Sequence, residues 1–341
     1  MNVFELPAPE LLRAHLARSR RVYEPRSDST GTVHWLEAGT GFEARFDPAT
    51  PLAQYSPKQF FFAEREALHR FDGREYTETL PETGPQALFG VRACDLTAIA
   101  YQDRFFRDDP HYQARRRTML LVGIDCLKPC ERGFCPTVDA GPFVREETAD
   151  LVLHQSGPSG RWLIYVQSEA GQNALEGLSL IPATGDPVAD RSAAEQPVIA
   201  AFPDASHVSQ GVRLLNEGKI RPETWDQLGI QCFACSGCTS LCPTCSCFAT
   251  YERPLPDGGQ ETQRCWDSCL YEGFQKEASG HHPQPTAGQR VFRYWYHKFS
   301  DDYLPEFGRH GCVGCGRCEQ TCLGVIGVHS IMKRIVQENA R

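Results

Sequence analysis

Eight cysteines of this chain stand in two copies of one run. Cys232, Cys235, Cys238 and Cys242 precede Pro243, and Cys312, Cys315, Cys318 and Cys322 repeat the spacing further on. The run is C-x-x-C-x-x-C-x-x-x-C, which suits a cubane iron–sulfur cluster. Fe–S bonds are short and directional, so three thiolates on one tight loop wrap a cube face while the fourth arrives from elsewhere. Where two runs are paired, the fourth cysteine of each serves the other cluster. The expected ligands are therefore Cys232, Cys235, Cys238 and Cys322 for one [4Fe–4S] cluster, and Cys312, Cys315, Cys318 and Cys242 for a second.

Four more thiols are drawn together by the elements that carry them. Ala87–Val91 and Met119–Ile124 are short apolar runs suited to buried parallel strands, and Cys94 and Cys126 stand just beyond their carboxyl ends, where α/β sheets build sites. The loop after Cys126 adds Cys130 and Cys135. Unligated thiols are common core residues. Here Lys128, Glu131 and Arg132 interleave with them and make burial of the loop costly, so a third metal centre is expected, by its company a cubane cluster rather than zinc. The last set is Cys245, Cys247, Cys265 and Cys269, with Cys265 and Cys269 on one face if that segment is helical. It follows no familiar cluster spacing: a fourth metal site, iron–sulfur or zinc, and simple packing around the second cluster both remain open.

Other signals carry less. Gly311, Gly314 and Gly316 lie among cluster ligands and serve the loop round the cube; a dinucleotide fingerprint would follow a strand. Arg92-Ala-Cys94-Asp95 has Thr97 where a nickel-binding run requires a second cysteine. His281 and His282 read as a solvated loop, His297 as a packed imidazole, and Phe60, Phe61 and Phe62 as core. No nucleophile stands with a base, and no catalytic residue is expected.

The elements place these sets in two domains. Residues 1–222 hold four of the sixteen cysteines and read as α/β, with a helix beginning after an Asp95 N-cap, a strand pair at Leu151–Leu153 and Trp162–Val166, and a surface loop over Pro182–Pro197. Residues 223–341 hold twelve cysteines, with helices over Pro222–Gly229 and Val328–Asn339. The stretch between the two runs is too long for a compact ferredoxin and suits an α-helical ferredoxin domain, so the fold class expected is α+β overall. A net charge of −8 and pI near 5.8 give no nucleic-acid footprint. No window has the length of a membrane span, Met1–Pro25 lacks a signal peptide's apolar run, and so many clustered thiols suit metal binding in a reducing cytoplasm.

With these motifs in view, the chain resembles the iron–sulfur β subunits of cytoplasmic sulfhydrogenases, NAD(P)-linked nickel–iron enzymes, and is similar to the iron–sulfur electron-transfer subunits of anaerobic sulfite reductases. The likeness is carried by Cys242-Pro-Thr-Cys-Ser-Cys-Phe248, Cys265-Trp-Asp-Ser-Cys269, Tyr296-His-Lys-Phe299 and Gly311–Cys318. In the first half it continues through Ser56–Phe62, Gly90–Leu96, Gly123–Cys126 and Phe134-Cys135. The resemblance implies an electron wire between a flavoprotein subunit that oxidises NAD(P)H and the small and large subunits of a hydrogenase, or the sirohaem catalytic subunit of a sulfite reductase in the alternative. Two other readings stand beside it: a self-sufficient enzyme acting at its third cysteine set, and an α/β docking scaffold with those four thiols unligated. Leu323 departs from the proline that usually follows the fourth cysteine.

Overall fold

The computed structural model describes residues 2–39, 46–157 and 160–339. Its strands are β1 (Asn2–Leu6), β2 (Arg21–Ser27), β3 (Val33–Glu37), β4 (Arg65–Phe71), β5 (Tyr76–Glu78), β6 (Gln86–Arg92), β7 (Met119–Ile124), β8 (Leu151–Ser156), β9 (Arg161–Val166), β10 (Ile181–Pro182), β11 (Phe248–Pro254) and β12 (Gln260–Trp266). Its helices are α1 (Pro9–Leu16), α2 (Ala93–Phe105), α3 (Pro110–Arg116), α4 (Glu169–Ala174), α5 (Pro187–Ala200), α6 (Ser206–Asn216), α7 (Pro222–Gln231), α8 (Gly237–Leu241), α9 (Ala287–Phe299), α10 (Leu304–Phe307), α11 (Arg317–Thr321) and α12 (Val328–Asn339).

The large sheet has the order β10-β1-β9-β8-β7-β6-β2-β3. Its centre, β2-β6-β7-β8, is parallel, as the apolar runs predict. Side chains alternate across it: Leu88 and Leu121 join Leu96, Ile99 and Tyr112 of α2 and α3 on one face, while Phe89, Leu120 and Val122 join Leu12 and Leu16 of α1 on the other. β6 and β7 end in register, Arg92 opposite Ile124, which leaves Cys94 and Cys126 just past the strands' carboxyl ends. Phe61 and Phe62 are core residues, each 1% exposed.

The cysteine-rich half departs from the all-helical expectation. α6, α7, α9 and α12 surround a core containing Trp225, Leu228, Trp295, Phe299 and Ile331, but the stretch between the two runs contains the β11–β12 hairpin. That hairpin forms a second sheet, β11-β12-β4-β5, with strands from the other side of residue 222. Two local readings also change. α2 begins at Ala93 with Arg92 at its N-cap, so Asp95 lies within the first turn, buried and paired with Arg317 at 2.6 Å. Pro187–Ala200 is a helix rather than the expected loop: Asp186 caps Ala189 N–H, Pro187 pre-sets the first turn, and no residue of the helix is buried. Among the described residues no helix is long and apolar enough to cross a membrane.

Candidate metal centres

The first cysteine run wraps because two non-glycine residues hold left-handed backbone. α7 stops at Gln231, Ala234 (φ 48°) and Ser236 (φ 60°) turn the chain between ligands, and α8 leads to Cys242. Such conformations persist where surroundings impose them. The result is a cavity lined by Cys232, Cys235, Cys238 and Cys322, walled by Leu270, Val291, Tyr294, Trp295 and Ile326. These four cysteines are the first predicted set. Burial first, then the neighbouring Cys232, Cys322 and Cys242, push the Cys238 thiol up to about 12. Cys235 is exposed, beside the exposed Phe233, Leu323 and Val325.

The second run repeats the loop with glycine. Gly314 (φ 64°) and Gly316 (φ 76°) occupy the positions of Ala234 and Ser236. A side chain is excluded there for a second reason: a Cβ on Gly314 would lie 2.6 Å from the Cys135 nitrogen, and one on Gly316 would strike the Arg132 carbonyl. Gly314 N–H points at Cys312 Sγ at 3.4 Å and Ile326 N–H at Cys322 Sγ at 3.3 Å, the kind of bond that tunes a bound cluster. Burial raises Cys318, reinforced by Cys312, Cys315 and Cys242, so Cys242 is close to the three thiols with which its spacing pairs it.

Cys94, Cys126, Cys130 and Cys135 lie beyond the carboxyl ends of the central strands β6 and β7, with Cys135 near the other three. Burial pushes Cys126 up to about 12, and burial followed by Cys126, Cys130 and Cys315 raises Cys135. Cys94 is raised by burial, then by Asp95, Cys135 and Cys315. Cys315 thus connects this set to the second. Phe134 N–H donates to Gly314 O at 2.8 Å, which pins the two loops together. Arg92 faces Cys126 and Cys130, its guanidinium held by the carbonyls of Pro48 (2.6 Å) and Thr50 (2.8 Å). Cys126, Cys130 and Cys315 open into a cleft also lined by Arg92, Lys128 and Arg132.

The last set is assembled only in part. Cys245 lies against Cys242 and Cys247 against Cys269. The hydrogen bond from Cys269 holds Cys247 down at about 6. Cys265 is on strand β12, not on a helix. Trp266 turns its ring toward Phe62 and Lys58, so strand alternation aims Cys265 at the opposite face. Sequence reading missed Lys58 and Lys298, both buried here. Burial opposes the Lys298 charge, but Cys242 and Cys245 outweigh it and hold the ammonium well above its ordinary value. The only signal was their place in Ser56–Phe62 and Tyr296–Phe299, where a lysine reads as solvated surface.

Among the described residues no three His, Cys, Asp or Glu side chains converge tightly enough for a single ion. In the first set the thiols ring a cavity instead, an arrangement that suits a cubane cluster better than zinc, whose sulfur ligands crowd about 2.3 Å from the metal.

Residues 231–326 match the family model of a 4Fe-4S dicluster domain. The chain is also 29% identical over 307 residues, 89% of its length and 88% of the relative's, to sulfhydrogenase 2 subunit beta of Pyrococcus furiosus. The similarity to that beta subunit covers the α/β half as well as the dicluster domain, as the motif resemblance implied.

Proposed function

We propose that this chain is a cytoplasmic electron-transfer subunit that relays electrons between a flavoprotein subunit oxidising NAD(P)H and the small and large subunits of a nickel–iron hydrogenase. Cys232, Cys235, Cys238 and Cys322 hold one [4Fe–4S] cluster, Cys312, Cys315, Cys318 and Cys242 a second, and Cys94, Cys126, Cys130 and Cys135 a third. Cys245, Cys247 and Cys269 hold a fourth centre. When bound, such clusters carry single electrons. The chain's residues set potential and access: apolar walls and N–H···S bonds at the first two sites, Arg92 at the third.

The observation that carries the reading is the row of thiol groups with two ends. It starts at exposed Cys235, passes from Cys238 to Cys242 and from Cys315 to Cys94 and Cys135, and ends where Cys126 and Cys130 open into a cleft. A self-sufficient enzyme needs one access point, whereas a relay needs two. Anaerobic co-purification with subunit identification and metal analysis tests it. Hydrogenase and flavoprotein subunits with cluster-level iron are the expected result. A sirohaem subunit would transfer the chain to a sulfite reductase, and turnover by the chain alone would overturn the relay.

A further inference from the structure

Two lysines are buried where no carboxylate receives them. Lys58 and Lys298 are each 4% exposed. The Lys58 ammonium donates to the carbonyls of Thr239 (3.0 Å) and Cys245 (3.3 Å) and sits 4.2 Å above the Trp266 ring. The Lys298 ammonium donates to Thr244 Oγ1 at 2.9 Å, and that hydroxyl lies 3.3 Å from Cys242 Sγ. Among the described residues neither lysine forms an ion pair with Asp or Glu, although every other fully buried cation of the cysteine-rich half has one: Arg264 with Glu66 and Asp109, Arg317 with Asp95.

Buried charges are tolerated when paired, and two like charges in one pocket raise the demand for negative charge there. The surrounding oxygens are neutral carbonyls and hydroxyls. Burial holds the nearby Tyr101 hydroxyl up at about 12, so the groups best able to become anionic are thiols: Cys242, already assigned to the second cluster, and Cys245, Cys247 and Cys269. A cluster held by thiolates is itself an anion, and each electron it accepts adds a further negative charge.

We infer that Lys58 and Lys298 are the built-in counter-charges of an anionic iron–sulfur centre held by Cys245, Cys247 and Cys269, and that they keep its reduction potential high. This rests on the reading of a fourth centre in that set. The lysines come from the 3-10 turn Pro57–Phe60 and from α9, on opposite sides of the dicluster motif's first run in sequence, so the pocket forms only when the two halves of the chain pack together. The electron that reduces the centre comes from the adjacent second cluster, through Cys242, and returns by the same route; no proton or bond is exchanged. The lysines are positioning residues, since they act through the centre rather than touching a substrate.

The test uses the full chain with its clusters loaded anaerobically. Iron content of the Cys247→Ser/Cys269→Ser double variant addresses the centre itself: a loss of iron with the remaining clusters retained is expected, and unchanged iron overturns the centre and the inference together. Redox titration followed by electron paramagnetic resonance then addresses the lysines. In Lys58→Met and Lys298→Met one centre should show about a tenfold lower reduced-to-oxidised ratio at fixed potential, about 59 mV for a one-electron couple, with the others unmoved. Lys298→Arg should restore most of it, which a merely structural role would not. If the methionine variants do not fold, Lys58→Gln and Lys298→Gln give the same readout. Iron lost from the cysteine variant with unchanged potentials in the lysine variants leaves the centre standing and overturns its counter-charges.

Discussion

Gly314→Ala tests the contact on which the relay depends. Gly314 turns the second cysteine run with φ at +64°, and its α-carbon is pressed against the backbone of the loop carrying Cys135. A methyl group there would meet Cys135 N at 2.6 Å and Cys135 Cα at 2.7 Å. Both neighbours are backbone, so no rotamer change relieves the clash. The left-handed conformation costs an alanine about 1–2 kcal/mol, and overpacking typically adds about 1–3 kcal/mol, for a total of about 2–5 kcal/mol. Ala234, at the matching place in the first run, shows that an alanine can adopt this backbone where it has room.

The control is Gly273→Ala, where a Cβ meets nothing within 4 Å and the backbone is not left-handed. It should change stability by less than about 0.5 kcal/mol. The assay is anaerobic denaturation of the cluster-loaded chain, followed in parallel by tryptophan fluorescence and by cluster absorption. Gly314→Ala should unfold at clearly lower denaturant, and cluster absorption should fade before fluorescence changes, because the loops part first. A Gly314→Ala midpoint equal to that of Gly273→Ala would refute the close approach.

Two further perturbations read other parts of the frame. His297 is half-buried: desolvation, then the Lys298 charge, holds its pKa down at about 4 against an ordinary 6.5. The unfolded chain takes the proton below 6.5 and the folded chain refuses it until about 4, so stability falls across that window by roughly 3 kcal/mol in all. His297→Gln should flatten the dependence, measured as the difference in denaturation midpoint between about pH 7 and about pH 5; an unchanged slope would contradict a neutral imidazole. Arg317→Met strips the buried Asp95 of its bidentate partner (2.6 and 2.8 Å) and should cost about 3–5 kcal/mol. Adding Asp95→Asn should recover part of this, and strictly additive losses would show that the pair is not coupled.

The parts of this architecture legible in the chain are those dictated locally. The apolar runs at Ala87–Val91 and Met119–Ile124 suit buried parallel strands, and their pairing as such sets Cys94 and Cys126 beyond neighbouring strand ends. The paired runs likewise carry an expected crossed pairing in their spacing, and Cys322 does share a cavity with Cys232, Cys235 and Cys238. What escaped was decided by partners far along the chain. Asp95 has the chemistry of an N-cap, but Arg317, 222 residues away, takes its carboxylate. Gln260–Trp266 carries no decisive helical or strand periodicity; pairing with β4 and the Arg264–Glu66 bridge make it a strand, so Cys265 does not share a helix face with Cys269. Lys58 and Lys298 were invisible as functional residues because burial of a lysine is a tertiary fact.

Charge bookkeeping along the row leads to a last expectation, conditional on the proposed ligands. The first cavity is walled by Leu270, Val291, Trp295 and Ile326, and Arg290, held by the carbonyls of Leu270, Gln284 and Pro285, acts on Cys232 less than burial and the neighbouring thiols do. At the third set Arg317 is neutralised by Asp95, while Arg92, held among the described residues by carbonyls, is an unpaired positive charge beside Cys126 and Cys130, with Lys128 and Arg132 lining the same cleft. The Cys245, Cys247 and Cys269 pocket has two ammonium groups, of which Lys298 is held charged by the thiols while burial lowers Lys58. A unit charge about 7 Å from a centre at an effective dielectric of about 20 is worth roughly 2 kcal/mol. Each uncompensated cation therefore raises the potential of the cluster beside it by an amount of that order. The cluster of Cys232, Cys235, Cys238 and Cys322 should have the lowest potential, so that electrons entering at Cys235 run downhill toward the arginine-lined cleft. A redox titration with Cys235→Ser to assign the first signal checks the order, and Arg92→Gln should lower the third potential alone. If the first cluster proves the easiest to reduce, fixed cations do not set the direction of this relay.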